Sequence, residues 1–168
     1  IQEDLGKAVA QAICDEGRRA LFVETDLCHE DSIKLMIDRT VKGFGRLDIV
    51  VNNARPRLRH LPFAESLDEW DLALNVLLKA PALTTKHALP ELLKSPGSSI
   101  LNISSTNAFF VSHQPVAYHV AKSGIIQLTK CLAYEFGPKG IRVNAICPAL
   151  VDLTDGGKKS LTDDPVNK

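Results

Sequence analysis

Phe44-Gly-Arg-Leu-Asp-Ile-Val-Val-Asn-Asn-Ala54 joins the end of one element to the start of the next, and its reading organises the rest of the chain. Leu47-Asp-Ile-Val-Val51 is short and mostly apolar, as strands buried in parallel sheets are. Upstream, Ile33, Met36, Ile37, Val41 and Phe44 recur at helical spacing, which predicts a helix from about Asp31 to Phe44 with Gly45 as its stop. A helix feeding a buried strand is half of an α/β unit. Further upstream, residues 3–16 read as a helix closed by Gly17, and Ala20-Leu-Phe-Val-Glu24 as a strand ending at Thr25-Asp26. Downstream, the loop Arg55-Pro-Arg-Leu-Arg-His60 precedes a long helix over 67–93, with a kink or break expected at Pro81 and Pro90. Ser99-Ile-Leu-Asn-Ile103 is the next strand. A loop through Pro115 leads to a helix over 118–136, stopped by Gly137-Pro138. Ile141-Arg-Val-Asn-Ala-Ile146 is a further strand, and Cys147-Pro148 opens a polar tail.

Helices alternating with strands predict one α/β domain over residues 1–168, a parallel sheet flanked by helices. A length of 168 residues fits a single core. In such sheets ligands bind beyond the carboxyl ends of the strands. Asp26, Asn52-Asn53-Ala54, Ser104-Ser105 and Cys147-Pro148 each follow a strand, so four turn-forming clusters share one edge. Formal net charge is zero, which gives no broad electrostatic footprint for nucleic acid or anionic membrane. No apolar run reaches the ~20 residues of a membrane span. Cys14, Cys28, Cys131 and Cys147 lack metal-ligand spacing, and the five histidines are scattered, so no metal site is expected. Reduced, mostly buried thiols and a cytoplasmic or organelle-matrix setting are the expectation.

Tyr118 and Lys122 lie four apart on the fourth expected helix, slightly more than one turn, and therefore share a face. A cation beside a phenol favours the phenolate, which suits proton transfer near neutral pH. Ser105, at a strand end, is placed to hold a substrate oxygen against that tyrosine. The spacing alone is weak; the context gives it weight.

That context resembles the short-chain dehydrogenase/reductase family, tyrosine-dependent oxidoreductases on a Rossmann-like sheet. The resemblance runs over about residues 3–152 and rests on Asp26-Leu27, the stretch 44–54, Asn75, Ile103-Ser-Ser105, Tyr118-His-Val-Ala-Lys122, and Gly140-Ile-Arg-Val-Asn-Ala-Ile-Cys-Pro148. It implies NAD or NADP as cofactor, a small carbonyl or alcohol substrate, and Tyr118 as the general acid/base. Lys122 would assist Tyr118 and bind the nicotinamide ribose, Ser105 would orient the substrate oxygen, and Asn75 would hold a relay water. Asp26 and Leu27 would meet the adenine, Asn53 and Ala54 would line the cofactor, and Pro148 would border the nicotinamide. Helices near 67–93 and 118–136 would form a homodimer or homotetramer. Asn52 and Asn144 read as structural amides at sheet ends.

Three departures stand out. Arg55 replaces the glycine expected after Asn-Asn-Ala, which leaves either a phosphate-reaching cation, with Arg57, or a solvated loop. Ala149 replaces another glycine, and Leu153 occupies a threonine slot with Thr154 one beyond. No glycine-rich phosphate-binding turn occurs in the sequence. Set against the family, the first two strands and the last are lacking, so a fragment of an oxidoreductase is the first expectation. The alternative is a non-catalytic truncated member acting as a binding or regulatory partner.

Overall fold

The computed structural model describes residues 3–58 and 67–149. Its order is α1 (Glu3–Asp15), α2 (Glu30–Phe44), β1 (Ile49–Asn52), α3 (Leu67–Leu74), a π turn (Asn75–Lys79), α4 (Ala80–Leu92), β2 (Ser99–Ile103), a 3₁₀ turn (Thr106–Ala108), α5 (Val116–Phe136), a second 3₁₀ turn (Gly137–Lys139) and β3 (Arg142–Ile146). The three strands form one parallel sheet in the order β1-β2-β3, with Val50, Ile100 and Val143 in one row. This is an α/β Rossmann-like arrangement, a parallel sheet with flanking helices.

Helix α2 ends as its sequence dictates. Gly45 takes φ 81°, a left-handed conformation costly for any residue with a Cβ, and its N–H closes on Val41 O at 2.7 Å. Ile33 and Ile37 bury the apolar stripe. On the outer side, Glu30 accepts from Lys86 Nζ at 2.7 Å and bonds His87 Nε2 at 2.9 Å, joining α2 to α4. Those contacts are exposed and set register more than stability.

The core lies on one face of the sheet. Val50, Ile100 and Val143 pack with Ile37 of α2, Ala88 and Leu92 of α4, and Phe136 of α5. Fully burying a side chain such as Ile100 stabilises by about 1.5–3 kcal/mol. The opposite face is open: Ile49 is 63% and Val51 55% exposed on β1, and Ile146 is exposed on β3. The apolar run Leu47–Val51 thus behaves differently from its reading. The strands are written for burial on both faces, whereas helices cover only one among the described residues.

Three further expectations are corrected. Residues 20–24 form no strand, because the sheet offers that backbone no neighbour to complete a ladder. The segment rests on side chains instead: Phe22 lies against Gly6, and Arg19 donates to Gly43 O while stacking 4.9 Å from the Phe44 ring centroid. The long helix does change at Pro81, as a π turn immediately before it, where a proline nitrogen already removes one rung of the ladder. At Pro90 it does not break; α4 continues to Leu92. The cysteines are free thiols but not mostly buried: Cys14 and Cys131 are exposed and Cys28 and Cys147 are half-buried. Helix α1 buries none of its residues, and Cys131 lies on an uncovered side of α5.

Among the described residues, no helix is long and apolar enough to cross a membrane. No group of three metal-ligating side chains occurs there either. The readings of Arg59, His60, Leu153 and Thr154 lie outside the described residues.

Candidate functional site

β2 and β3 continue to hold together beyond their last ladder rungs. Ser104 N donates to Ile146 O at 2.8 Å, and Thr106 N donates to Pro148 O at 3.0 Å. Pro148 is thereby tied to the loop that carries Ser105. Ser105 itself has extended backbone and caps the short 3₁₀ turn, its Oγ accepting from Asn107 N at 3.1 Å. It is buried, and its hydroxyl proton stays available for a further acceptor.

Helix α5 brings Tyr118 and Lys122 to the same strand ends. Tyr118 is 8% exposed and packs with Ala73 and Leu77 across to Ala117 and Ala121. Those small residues let α3 and α5 approach closely, and Gly124 does the same for Leu78 of the π turn: a Cβ there would lie 2.9 Å from Leu78 Cδ2. Lys122 is 6% exposed, with Nζ 5.7 Å from the Tyr118 ring centroid. That ammonium donates to Ile103 O at 2.5 Å, which leaves two of its three donors for a ligand. The backbone around it is pinned as well, since Ser104 Oγ donates to Lys122 O at 2.7 Å.

Burial lowers the Lys122 pKa from 10.5 to about 8; the Arg55 charge adds to that shift and Cys147 opposes it. The unfolded chain therefore holds more protons than the folded one between those two values. Stability should rise with pH across that window, and below about pH 8 the cost of the buried charge is present in full. Lys122→Met lacks this dependence. The wild-type stability measured against that variant by urea unfolding should improve by on the order of 3 kcal/mol from pH 8 to 10.5. A flat difference would reject the buried cation.

Asn75 opens the π turn, is half-buried, and its carbonyl accepts from Ala80 N five residues on. The turn packs against α5, which sets Asn75 on the helix layer that carries Tyr118. A cavity of about 170 Å³ lies at the strand ends. Leu27, Asn53, Ala54, Val76, Ile103 and Lys122 are among its walls. Asp26 sits apart, in a turn where its Oδ1 accepts from Cys28 N at 2.9 Å and its amide donates to Ser32 Oγ. Ser105, Tyr118, Lys122 and Pro148 thus gather at one sheet edge, Leu27, Asn53 and Ala54 line the adjoining cavity, and Asp26 is engaged in leading the chain into α2.

Sequence reading missed the support beneath this edge. Asn102 is 0% exposed: its Oδ1 accepts from Asn52 Nδ2 at 2.8 Å, and its Nδ2 donates to Thr129 Oγ1 at 2.9 Å. Thr129 Oγ1 in turn donates to Ile125 O at 2.7 Å. One chain of hydrogen bonds therefore links β1, β2 and α5. An amide inside the apolar Ser99–Ile103 run was the available signal, because a buried amide demands partners. Asn144 is exposed on β3.

Known proteins resemble this chain over most of its length. Residues 1–166 match a family model described as enoyl-(acyl carrier protein) reductase. A cis-4-hydroxycyclohexanecarboxylate dehydrogenase of Sinomonas cyclohexanicum is 36% identical, over 86% of this chain and 58% of the relative. Human dehydrogenase/reductase SDR family member 4 is 38% identical over 85% of this chain and 53% of the relative. A solved short-chain dehydrogenase/reductase variant of Serratia marcescens superposes with TM-score 0.84 at 31% identity, covering 94% of this chain and 63% of that one. The chain spans about three fifths of the length of the relatives it matches. Strand-end clusters, buried tyrosine–lysine pair and matched relatives together place this chain in the short-chain dehydrogenase/reductase family of oxidoreductases.

Proposed function

We propose that this chain carries the proton-transfer half of an NAD- or NADP-dependent oxidoreductase that interconverts a secondary alcohol and a ketone, or a primary alcohol and an aldehyde. The observation that supports it most is the buried Lys122 ammonium beside the Tyr118 ring, with Ser105 on the neighbouring strand end. The printed names of relatives, a hydroxycyclohexanecarboxylate dehydrogenase and a 3β-hydroxysteroid dehydrogenase, fit oxidation at a ring hydroxyl.

The residues present suit the nicotinamide-ribose end of a dinucleotide. Two unused Lys122 donors match vicinal ribose hydroxyls, and the cavity walls of Leu27, Asn53, Ala54 and Val76 are apolar or amide surfaces. Asp26 and Leu27 would hold the adenine end, and Pro148 would border the nicotinamide. When bound, the nicotinamide supplies or accepts the hydride.

Tyr118 gives its phenolic proton to the carbonyl oxygen in reduction and takes it back from the alcohol in oxidation. Ser105 donates its hydroxyl proton to the same oxygen and stabilises charge developing there. Lys122, cationic below about pH 8, favours the phenolate left behind. Asn75 would hold the water that carries the proton to solvent. The helices over 67–92 and 116–136 would pair subunits, in a cytoplasmic or organelle-matrix setting.

Equilibrium titration of the 168-residue protein with NADH and NADPH, followed by cofactor oxidation against a panel of ketones and aldehydes, tests the reading. Saturable binding of one cofactor and carbonyl-dependent oxidation are expected. Binding of neither would exclude catalysis by this chain.

A further inference from the structure

Arg55 occupies a position where the family resemblance calls for glycine, and its side chain turns toward the site. Its guanidinium carbon lies 5.2 Å from the Tyr118 ring centroid, and Nη2 donates to Gln114 Oε1 at 3.1 Å. Two cations thus flank one aromatic ring. Among the described residues neither Arg55 nor Lys122 has a carboxylate partner. The Arg55 charge is one reason, after burial, that Lys122 holds its proton weakly. Uncompensated positive charge at the mouth of a reactive site is a place prepared for an anion.

The shape of the guanidinium narrows the anion's chemistry. At cation–π distance from a ring it keeps its planar fork of N–H donors for hydrogen bonds. Of its five N–H donors, one reaches Gln114, and the others have no partner among the described residues. A planar edge of that kind matches the two oxygens of a carboxylate. The Gln114 contact fixes the edge in place before any ligand arrives, which lowers the ordering cost of binding. On the loop that also carries Gln114, Phe109, Phe110 and Val111 are exposed apolar side chains, a surface suited to the body of an organic acid.

We propose that Arg55 is a specificity-determining residue, which binds the carboxylate of an oxo-acid or hydroxy-acid substrate while the carbon to be reduced or oxidised lies at Tyr118. The choice of an oxo- or hydroxy-acid rests on the oxidoreductase reading above; the anion site itself does not. A phosphate of the cofactor is the other source of such an anion. The substrate is favoured because Arg55 stands over the Tyr118 ring, whereas Asp26 and Leu27 belong to the expected adenine end.

The test uses 3-oxobutanoate and its neutral amide, 3-oxobutanamide, titrated calorimetrically into the 168-residue protein, its Arg55→Gln form and its Arg55→Lys form. Wild type should bind the acid at least about tenfold more tightly than the amide, the scale of a charge-assisted bidentate contact. Arg55→Gln should bring that ratio to within about twofold, and Arg55→Lys should restore only part of it, because an ammonium lacks the planar edge. Equal affinities in wild type, or an undiminished ratio in Arg55→Gln, would overturn the proposal. So would an Arg55→Gln form that loses NADPH affinity and keeps its preference for the acid, which would assign the arginine to the cofactor. An acid preference that depends on Arg55 supports the anion site even if cofactor oxidation is absent, a result that would count against the oxidoreductase reading alone.

Discussion

Tyr118→Phe should lower kcat/KM for carbonyl reduction by about 10²- to 10⁴-fold, the range that a positioned acid/base contributes. The substitution removes one oxygen and nothing else. The phenyl ring still fills the space among Ala73, Leu77, Ala117 and Ala121, and still offers its face to Lys122 and Arg55. The fold should therefore persist, with a thermal midpoint close to that of wild type. The loss should fall on kcat more than on KM, since the hydroxyl acts on charge that develops during the reaction. Following NADH or NADPH absorbance with the best carbonyl substrate, beside thermal unfolding of both proteins, makes the measurement. Turnover within a few-fold of wild type would remove Tyr118 from the chemistry.

Asn102→Ala should cost about 2–4 kcal/mol of stability, from unmet hydrogen bonds and the cavity left behind. Asn102 is fully buried, and truncating it leaves the Asn52 amide without its acceptor and Thr129 Oγ1 without its donor. For a chain of this size the thermal midpoint should drop by about 5–15 °C. A double-mutant cycle separates the network from the cavity. Thr129→Val should cost measurably less in the Asn102→Ala background than in wild type, because the bond it removes is already gone. Strict additivity would show that the buried amide acts through its volume alone.

The parts of this fold legible in sequence are those set by local rules. Helix α2 and its Gly45 cap follow from apolar spacing and from a left-handed turn that favours glycine. Tyr118 and Lys122 share a face because the helical period puts them there. Residues 20–24 failed as a strand for the opposite reason: a strand exists only where a neighbour supplies its ladder, and no local pattern reports the neighbour. The exposure of Ile49 and Val51 is of the same kind, since their sequence describes a surface suited to burial and says nothing of what covers it. Pro81 signalled a disturbance in the long helix without naming its form. Ser105 and the Tyr118–Lys122 pair sit on different elements, and the strand-end position of Ser105 was the local sign that linked them in advance. Arg55 stood out by its departure, but its place over Tyr118 depends on the path of a loop that composition does not encode.

The π turn at Asn75–Lys79 has a consequence for how this protein can change over generations. Such a turn holds one residue more than an ordinary helical turn, so the number of residues between Trp70 and Leu92 is under constraint, apart from their identities. Deleting one residue from the turn would let it close as ordinary α-helix with both ends facing as before, whereas deleting one between the turn and Ala88 would swing everything downstream by about 100°. Ala73 and Leu77 would keep their places on α5 while Ala88 and Leu92 left the sheet. Substitutions can drift through this helix, whereas a single-codon insertion or deletion outside that turn would pull its two ends out of phase.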